Sequence, residues 1–213
     1  MEATHTRTPA KRAAEAPSNL RARLVQAGLA LVERSGASGI SLREVARRSR
    51  VSHMAPYSHF SNKFELLSAI AAAGFEMFEK QLVLAAVEAG DSPREQMLQT
   101  GIAYVAFALE HPQLLGLMFG GRIPPRKHSQ ELRSARGRTF VFITDIVARG
   151  IASGHFKPVD PGIAAFAAWS IVHGYAQLAL GQETQDKLGV SNDQLLANTA
   201  AVIRNLIEGL NAR

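Results

Sequence analysis

Residues 41–67 decide the fold class and read SLREVARRSRVSHMAPYSHFSNKFELL. Ser41 and Glu44 have the spacing of a capping box, in which each side chain bonds a backbone N–H that the first helical turn leaves free. The box predicts a short helix over residues 42–48. Ala46 is small, which suits a helix that must cross its neighbour closely.

A tight break and a second start signal follow this helix. Residues 49–51 interrupt the pattern, and Ser52 is placed to cap another helix that ends near Phe60. Pro56 lies inside this segment, and since proline is tolerated only in the first turn of a helix, the helix must be short. Two short helices joined by a tight turn predict a helix-turn-helix over about residues 41–60.

Basic and polar side chains in this motif fall where contact with DNA requires them. The first helix of such a pair crosses the phosphate backbone, and the start of the second faces base edges. Arginines on the first helix can neutralise phosphates, which makes binding salt-dependent. His53 and Met54, at the start of the second, can bond a base edge or touch a thymine methyl. The predicted DNA-contacting residues are Ser41, Arg43, Arg47, Arg48, Ser52, His53, Met54, Tyr57, His59 and Lys63.

The charge distribution points to the same third of the chain. The formal net charge is +6, made up of +7 over residues 1–63 and −1 over residues 64–213. Such asymmetry favours a polyanionic partner, either nucleic acid or an anionic membrane surface. A solvated basic face is the alternative that charge alone leaves open.

The N-terminal segment, residues 1–17, is polar and basic with few large apolar side chains, which predicts a disordered arm. Its Arg7, Lys11 and Arg12 could reach a DNA backbone or minor groove, or the arm could have no role. A helical period of apolar residues then runs from Asn19 to about Ser35.

Helical periodicity continues to the end of the chain, and no segment has the pattern of a strand. The pattern predicts an all-α protein of about nine helices. Beyond the three helices already described, the predicted helices cover about residues 61–90, 92–111, 113–119, 130–153, 161–180 and 192–210.

The motif residues resemble the TetR/AcrR family of transcriptional regulators. The Val-Ser at 51–52, the Tyr-x-His-Phe at 57–60 and the following Asn-Lys-x-x-Leu-Leu stand in that family's order and spacing. The stretch from Trp169 to Gly174 is similar to the Trp…His-Gly element of one subgroup's effector domain. The family often has glycine where Arg50 stands, so either the turn differs here or a strained left-handed residue is accepted.

The resemblance implies a DNA-binding domain over residues 18–78 and a helical domain over residues 79–213 that dimerises and often binds a small effector. The implied function is a homodimeric regulator, most often a repressor, that binds a palindromic double-stranded DNA operator and is released by the effector.

Large apolar side chains with a few polar ones between helices are typical of ligand pockets. The candidates include no paired carboxylates or clustered cations, which favours a neutral, apolar or aromatic effector. The basic stretch 122–138 could meet an acidic ligand or DNA, or be a solvated loop. The predicted pocket residues are Met97, Tyr104, Phe107, Met118, Phe140, Ile143, Trp169 and His173, of which the last two also fit a dimer contact.

The last two predicted helices have a broad apolar seam and several small residues, which suit close helix packing. Two such helices from each subunit would form the four-helix interface that the resemblance implies, although the seam also fits a core within one chain. The predicted interface residues are Ala165, Ala168, Leu195, Thr199, Val202 and Leu206.

Composition and missing motifs argue against other classes. The chain has no cysteine, its seven histidines have no ligand-like pairing, and neither a phosphate-binding glycine loop nor a nucleophile elbow occurs. We therefore expect no catalytic activity, no cofactor and no metal. Residues 162–181 lack charge over a membrane-spanning length, but their small and polar residues favour a buried helix. A cytoplasmic protein without a membrane partner is expected.

Two rival hypotheses remain at the level of sequence. A DNA-binding protein without an effector would lack a pocket of ligand size and would bind random DNA as well as any one sequence. A helical enzyme or peripheral membrane protein would bind anionic vesicles rather than duplex DNA.

Overall fold

The computed structural model of the chain describes residues 17–181, 189 and 191–210. The predicted arm, residues 1–17, lies outside them except for Pro17, which begins the first helix. The described residues form eight α-helices and two short 3-10 turns, without a strand. The helices are α1 (Pro17–Ser35), α2 (Leu42–Arg48), α3 (Lys63–Glu88), α4 (Pro93–Glu110), α5 (Pro112–Phe119), α6 (Gln130–Ala152), α7 (Pro161–Leu180) and α8 (Asn192–Leu210); the 3-10 turns are Ala55–Ser58 and Pro125–Lys127.

The predicted all-α fold is confirmed, and the start signals explain the helix boundaries. Ser41 accepts the Glu44 N–H at 3.1 Å and so caps α2, which is half of the predicted capping box; the Glu44 carboxylate bonds Arg47 instead of the Ser41 N–H. Asn62 accepts the N–H groups of Phe64 and Glu65 at 2.9 and 3.2 Å at the start of α3. Each cap satisfies donors that have no partner within the helix.

The predicted third helix from Ser52 is wrong in type and extent, because the structure has only the 3-10 turn Ala55–Ser58 there. An α-helix that began at Ser52 would need the N–H of residue 56 to reach the Ser52 carbonyl, and Pro56 has no N–H. The Ala55 N–H donates to the Ser52 carbonyl instead, at 3.0 Å, which is the 3-10 pattern. The helix count is therefore eight rather than nine among the described residues.

The turn of the helix-turn-helix accepts a strained residue at Arg50. Its φ is +54°, in the left-handed region, and it is the sole non-glycine residue with positive φ in the described part of the chain. The Arg50 N–H donates to the Arg47 carbonyl at 3.2 Å, and the Val51 N–H to the Ala46 carbonyl at 3.1 Å. This pair of bonds is the Schellman motif, which requires a left-handed residue after the last helical one.

The long helix α3 connects two layers of the molecule. Its 26 residues span about 39 Å at 1.5 Å per residue. Leu66 and Ile70, near its N-terminus, are fully buried in the core shared with α1 and α2. Phe78 and Leu82, near its C-terminus, are buried in the core shared with α4 and α6. We name the first layer (α1, α2, the first 3-10 turn and the start of α3) the head, and the remainder the body.

The body is built around α4, which packs against α3, α6, α7 and α8. Its closest approach to α8 is at Gly101, where an added Cβ would lie 2.3 Å from the Ile203 Cδ1 atom. Glycine at this position lets α8 lie directly on α4.

We predict that Arg50→Gly stabilises the protein relative to Arg50→Ala by about 1 kcal/mol, because only glycine adopts a left-handed conformation without a Cβ penalty. Both substitutions remove the same exposed side chain, so their difference isolates the backbone strain. Urea unfolding of the two variants measures it. Equal midpoints and slopes would show that residue 50 carries no strain.

Candidate DNA-binding surface and effector cavity

The helix α2 presents the three arginines of the predicted DNA contact as exposed side chains. Arg47 is held by Glu44 through bonds of 2.6 and 2.9 Å, and this pairing lowers the pKa of the Glu44 carboxyl. Arg43 and Arg48 are exposed and have no hydrogen bond or ion pair to any other described residue. The positive charges of these two arginines are therefore available to bind a phosphate.

The segment after the turn presents its polar tip outward and anchors itself with two buried residues. Met54 and Tyr57 are 61% and 44% exposed, which is unusual for side chains of this size. Pro56 and Phe60 are buried against the head core and fix the direction of the segment. Ser52 and His53 are also exposed.

Three other predicted DNA contacts have structural partners in the head. Ser41 is the cap of α2, and the Lys63 ammonium donates to the Ser38 carbonyl at 3.1 Å. His59 is half-buried, with its ring 6.5 Å from that of Phe60. All ten predicted residues therefore lie in the head, but the side chains of Ser41, Arg47 and Lys63 already have hydrogen-bond partners there.

The body encloses a cavity of about 460 Å³, which falls within the ~300–1,000 Å³ typical of small-molecule sites. Helices α3, α4, α6, α7 and α8 supply its walls, which are mainly aromatic and aliphatic. Of the eight predicted pocket residues, the cavity is lined by Met97, Tyr104, Phe140, Ile143 and Trp169.

The other three predicted pocket residues lie behind this wall. Phe107 packs against Phe78 with ring centroids 5.0 Å apart, and Met118 is buried next to Gly74. His173 stands behind Tyr104, whose hydroxyl lies 2.7 Å from the imidazole Nδ1. The structure assigns these residues to the support of the cavity rather than to its surface.

Burial shifts the pKa values of both members of the Tyr104–His173 pair. Burial raises the pKa of Tyr104, so the phenol keeps its proton, and the Trp169 side chain offsets this in part. Burial also lowers the pKa of His173, so its ring is neutral near pH 7. The protonated phenol and the neutral imidazole therefore share one hydrogen bond between the Tyr104 hydroxyl and Nδ1.

Sequence reasoning missed part of the cavity wall. Phe75 and Phe78 of α3 and Phe166 of α7 line it, as do three basic residues of the 122–138 stretch: His128, Arg133 and Arg136. The prediction that the pocket has no clustered cations was therefore wrong. Helical spacing in α6 placed Arg133, Arg136 and Phe140 on one face, and that signal was available in the sequence.

The predicted interface residues lie mostly inside the chain's own core. Ala165 and Thr199 are fully buried, and Ala168 and Leu195 are 4% and 5% exposed. Val202 and Leu206 are half-buried, and Leu206 also lines the cavity. The four buried residues have almost no surface left to offer to a partner.

The outer face of α7 is apolar and uncovered. Its small residues face the core, and its large residues face outward at helical spacing. The exposed side chains are Ile163 (72%), Phe166 (57%), Ile171 (40%) and Leu178 (64%). By length and composition α7 could also cross a membrane, as could α4 and α5 together but for the 107° bend between them. A helix that packs in a protein core passes the same test.

Two further findings bear on chemistry. Among the described residues, no group of three or more His, Cys, Asp or Glu side chains is arranged to hold a metal ion. A second cavity of about 420 Å³ separates head and body, and its lining includes Arg21, His59, Lys127 and His128. His128 borders both cavities.

An exposed basic helix-turn-helix on a helical body with an apolar cavity defines the class of one-component transcriptional regulators. Comparison with known families agrees. Residues 24–70 match the profile described as bacterial regulatory proteins, tetR family, and residues 97–203 match the tetracyclin repressor-like C-terminal domain. The chain belongs to the tetR family of bacterial regulatory proteins, which are regulators rather than enzymes.

The individual proteins to which the chain is similar share between 19% and 33% of its sequence. The chain is 26% identical over 149 residues to the HTH-type transcriptional regulator Rv1816 of Mycobacterium tuberculosis, a match that covers 68% of this chain and 63% of the relative. A solved protein of unknown function from Rhodococcus sp. RHA1 is 33% identical and has a TM-score of 0.78, covering 91% of this chain and 96% of that one. A TetR-family regulator from Pectobacterium atrosepticum has a TM-score of 0.72 at 19% identity, covering 95% and 99%.

Proposed function

We propose that the protein is a homodimeric, ligand-responsive repressor that acts in the cytoplasm on a palindromic double-stranded DNA operator. The observation that carries this function is that one helix, α3, follows directly on a basic helix-turn-helix and also lines an apolar cavity through Phe75, Phe78 and Leu82. An effector-free DNA binder has no use for such a cavity, so the ligand-responsive alternative is favoured.

Contact with DNA is assigned by exposure and charge. Arg43 and Arg48 meet phosphates, and the exposed Ser52, His53 and Met54 face base edges. Tyr57 and Lys63 flank them and suit phosphate contact, while Arg47 approaches DNA together with its partner Glu44.

Coupling between cavity and head runs through two helices. Phe75, Phe78 and Leu82 of α3 line the cavity, so a ligand presses on the helix that carries Lys63 at its other end. Residues at the start of α6 are also linked to α3 and α1 by a hydrogen bond and an ion pair. The Ser129 N–H donates to Ser68 of α3 at 2.8 Å, and Glu131 pairs with Arg21 of α1 at 2.6 Å.

A ligand changes DNA affinity only by the difference between its affinities for the two arrangements of the heads. The second cavity, between head and body, leaves room for the heads to change their relative position. In the proposed mechanism the occupied state holds the two heads at a spacing that does not match the operator.

The dimer interface is assigned to the outer face of α7 and the neighbouring surface of α8. The uncovered Ile163, Phe166, Ile171 and Leu178 form an apolar strip along α7. Strips of this kind mark contacts between proteins. The buried Ala165 and Ala168 contribute by letting α7 lie close to the core.

The DNA assignment is tested by selecting random duplex DNA on the purified protein at ~150 mM salt. We expect enrichment of an inverted repeat whose half-sites lie about one DNA turn or a small multiple apart. Arg43→Gln/Arg48→Gln should weaken binding to the enriched DNA. It should also flatten the dependence of log affinity on log salt concentration, by about 0.9 in slope for each phosphate that is no longer neutralised.

Arg94→Gln/Lys80→Gln removes the same charge from exposed sites of the body and is the matched control. It should retain the slope of the wild-type protein. No enrichment of any sequence, or equal salt slopes for both double variants, would contradict the proposed surface.

The interface assignment predicts that Leu178→Glu converts the dimer into a monomer, because a carboxylate would be buried at the contact without a partner. Sedimentation velocity measures the change in mass. Val87→Glu makes the same change at a 71% exposed residue of α3 and should remain dimeric. A Leu178→Glu variant that remains dimeric would show that the interface does not include the outer face of α7.

A further inference from the structure

The cavity has an apolar interior and a basic end, and residues of α6 line both. Arg133 and Arg136 lie near the start of this helix, and Phe140 and Ile143 follow one and two turns later on the same cavity wall. The ten helical steps from Arg133 to Ile143 span about 15 Å. Arg136 and Phe140 are exposed to solvent as well as to the cavity, so the basic end lies at its mouth.

The two arginines at the mouth are not neutralised by acidic side chains. Arg133 donates to the His128 carbonyl and, at 2.9 Å, to the Gln130 side-chain oxygen, and neither acceptor carries a charge. Arg136 has no hydrogen bond or ion pair within the described part of the chain. The next arginine, Arg138, differs because it pairs with Glu79 at 3.0 Å.

Helix stability does not account for this placement. Arg133 lies at the end of the first turn, where a positive side chain opposes the helix dipole, and Arg136 lies beyond the reach of that dipole, so neither gains free energy from it. Glu131, the acidic residue of the first turn of α6, is already paired with Arg21. Two uncompensated guanidinium groups at the opening of an apolar cavity fit a ligand that brings its own negative charge.

We propose that the effector is an amphiphilic carboxylate, with its apolar chain or ring system inside the cavity and its carboxylate at Arg133 and Arg136. The guanidinium group binds a carboxylate through two parallel hydrogen bonds, which a neutral ligand cannot match. The wall has four other polar side chains, and each has a hydrogen-bond partner in the protein already: Thr100, Tyr104, His128 and Thr139. This inference rests on the proposed function, because it specifies the ligand of the same cavity.

The single tryptophan of the chain makes the inference directly testable. Trp169 lines the cavity, so its fluorescence reports on a ligand there without interference from another indole. The probes are two matched pairs that differ only in the head group and do not absorb near 280 nm: dodecanoate with dodecan-1-ol, and adamantane-1-carboxylate with 1-adamantanemethanol. One pair has a chain-like body and the other a ring-like body, and all are used below the concentrations at which they aggregate.

For at least one pair, the wild-type protein should bind the acid at least 10-fold more tightly than the alcohol, since charge-assisted hydrogen bonds contribute on that scale. Arg133→Gln/Arg136→Gln should reduce the preference to about 2-fold or less. Arg94→Gln/Lys80→Gln, which removes the same charge away from the cavity, should keep it.

Three results would overturn the inference: no binding of either acid, equal affinities for acid and alcohol in the wild-type protein, or an acid preference that survives in Arg133→Gln/Arg136→Gln. The titration contains no DNA, so its outcome is independent of operator binding. Conversely, a protein that selects an inverted repeat but shows no acid preference would keep the proposed function and exclude the carboxylate.

Discussion

The continuity of α3 is the constraint on which the rest of the structure depends. One uninterrupted helix of 26 residues begins in the head, next to the helix-turn-helix, and runs along the wall of the apolar cavity in the body. Asn62 fixes where it starts, and its twelve buried residues anchor it in the core. Both cores are packed on this one element, and a shift at either end must be accommodated at the other.

Helical periodicity predicted most of the fold, and the helix caps seen in the structure explain where its helices begin. Ser41, Asn62, Ser92, Ser129 and Asp160 each accept a backbone N–H at the beginning of a helix. The prediction failed at Ser52, where the missing N–H of Pro56 outweighs the capping signal and leaves a 3-10 turn. Arg50 shows the opposite case, since the Schellman motif is retained although its left-handed residue is not glycine.

The site was predicted less completely, because two of its properties depend on tertiary packing. The apolar residues of α7 lie on almost every side of the helix, so its periodicity could not predict which face is buried. The small Ala165 and Ala168 proved to be buried, and the large Ile163 and Leu178 exposed. Likewise the role of Arg133 depends on which helices close over the face of α6, and the sequence alone does not give that packing.

The central claim is that occupancy of the cavity changes the position of the two heads, and a distance measurement tests it most directly. The chain has no cysteine, so Gln26→Cys, at an exposed position of α1 outside the proposed DNA contacts, admits one spin label per protomer. Electron–electron resonance on the dimer bound to its selected DNA should give a narrow distance distribution set by the half-site spacing. Saturation of the free dimer with the carboxylate that Trp169 reports should move the distribution several ångströms away from that value. A distribution that saturating ligand leaves at the DNA-bound value would contradict the account.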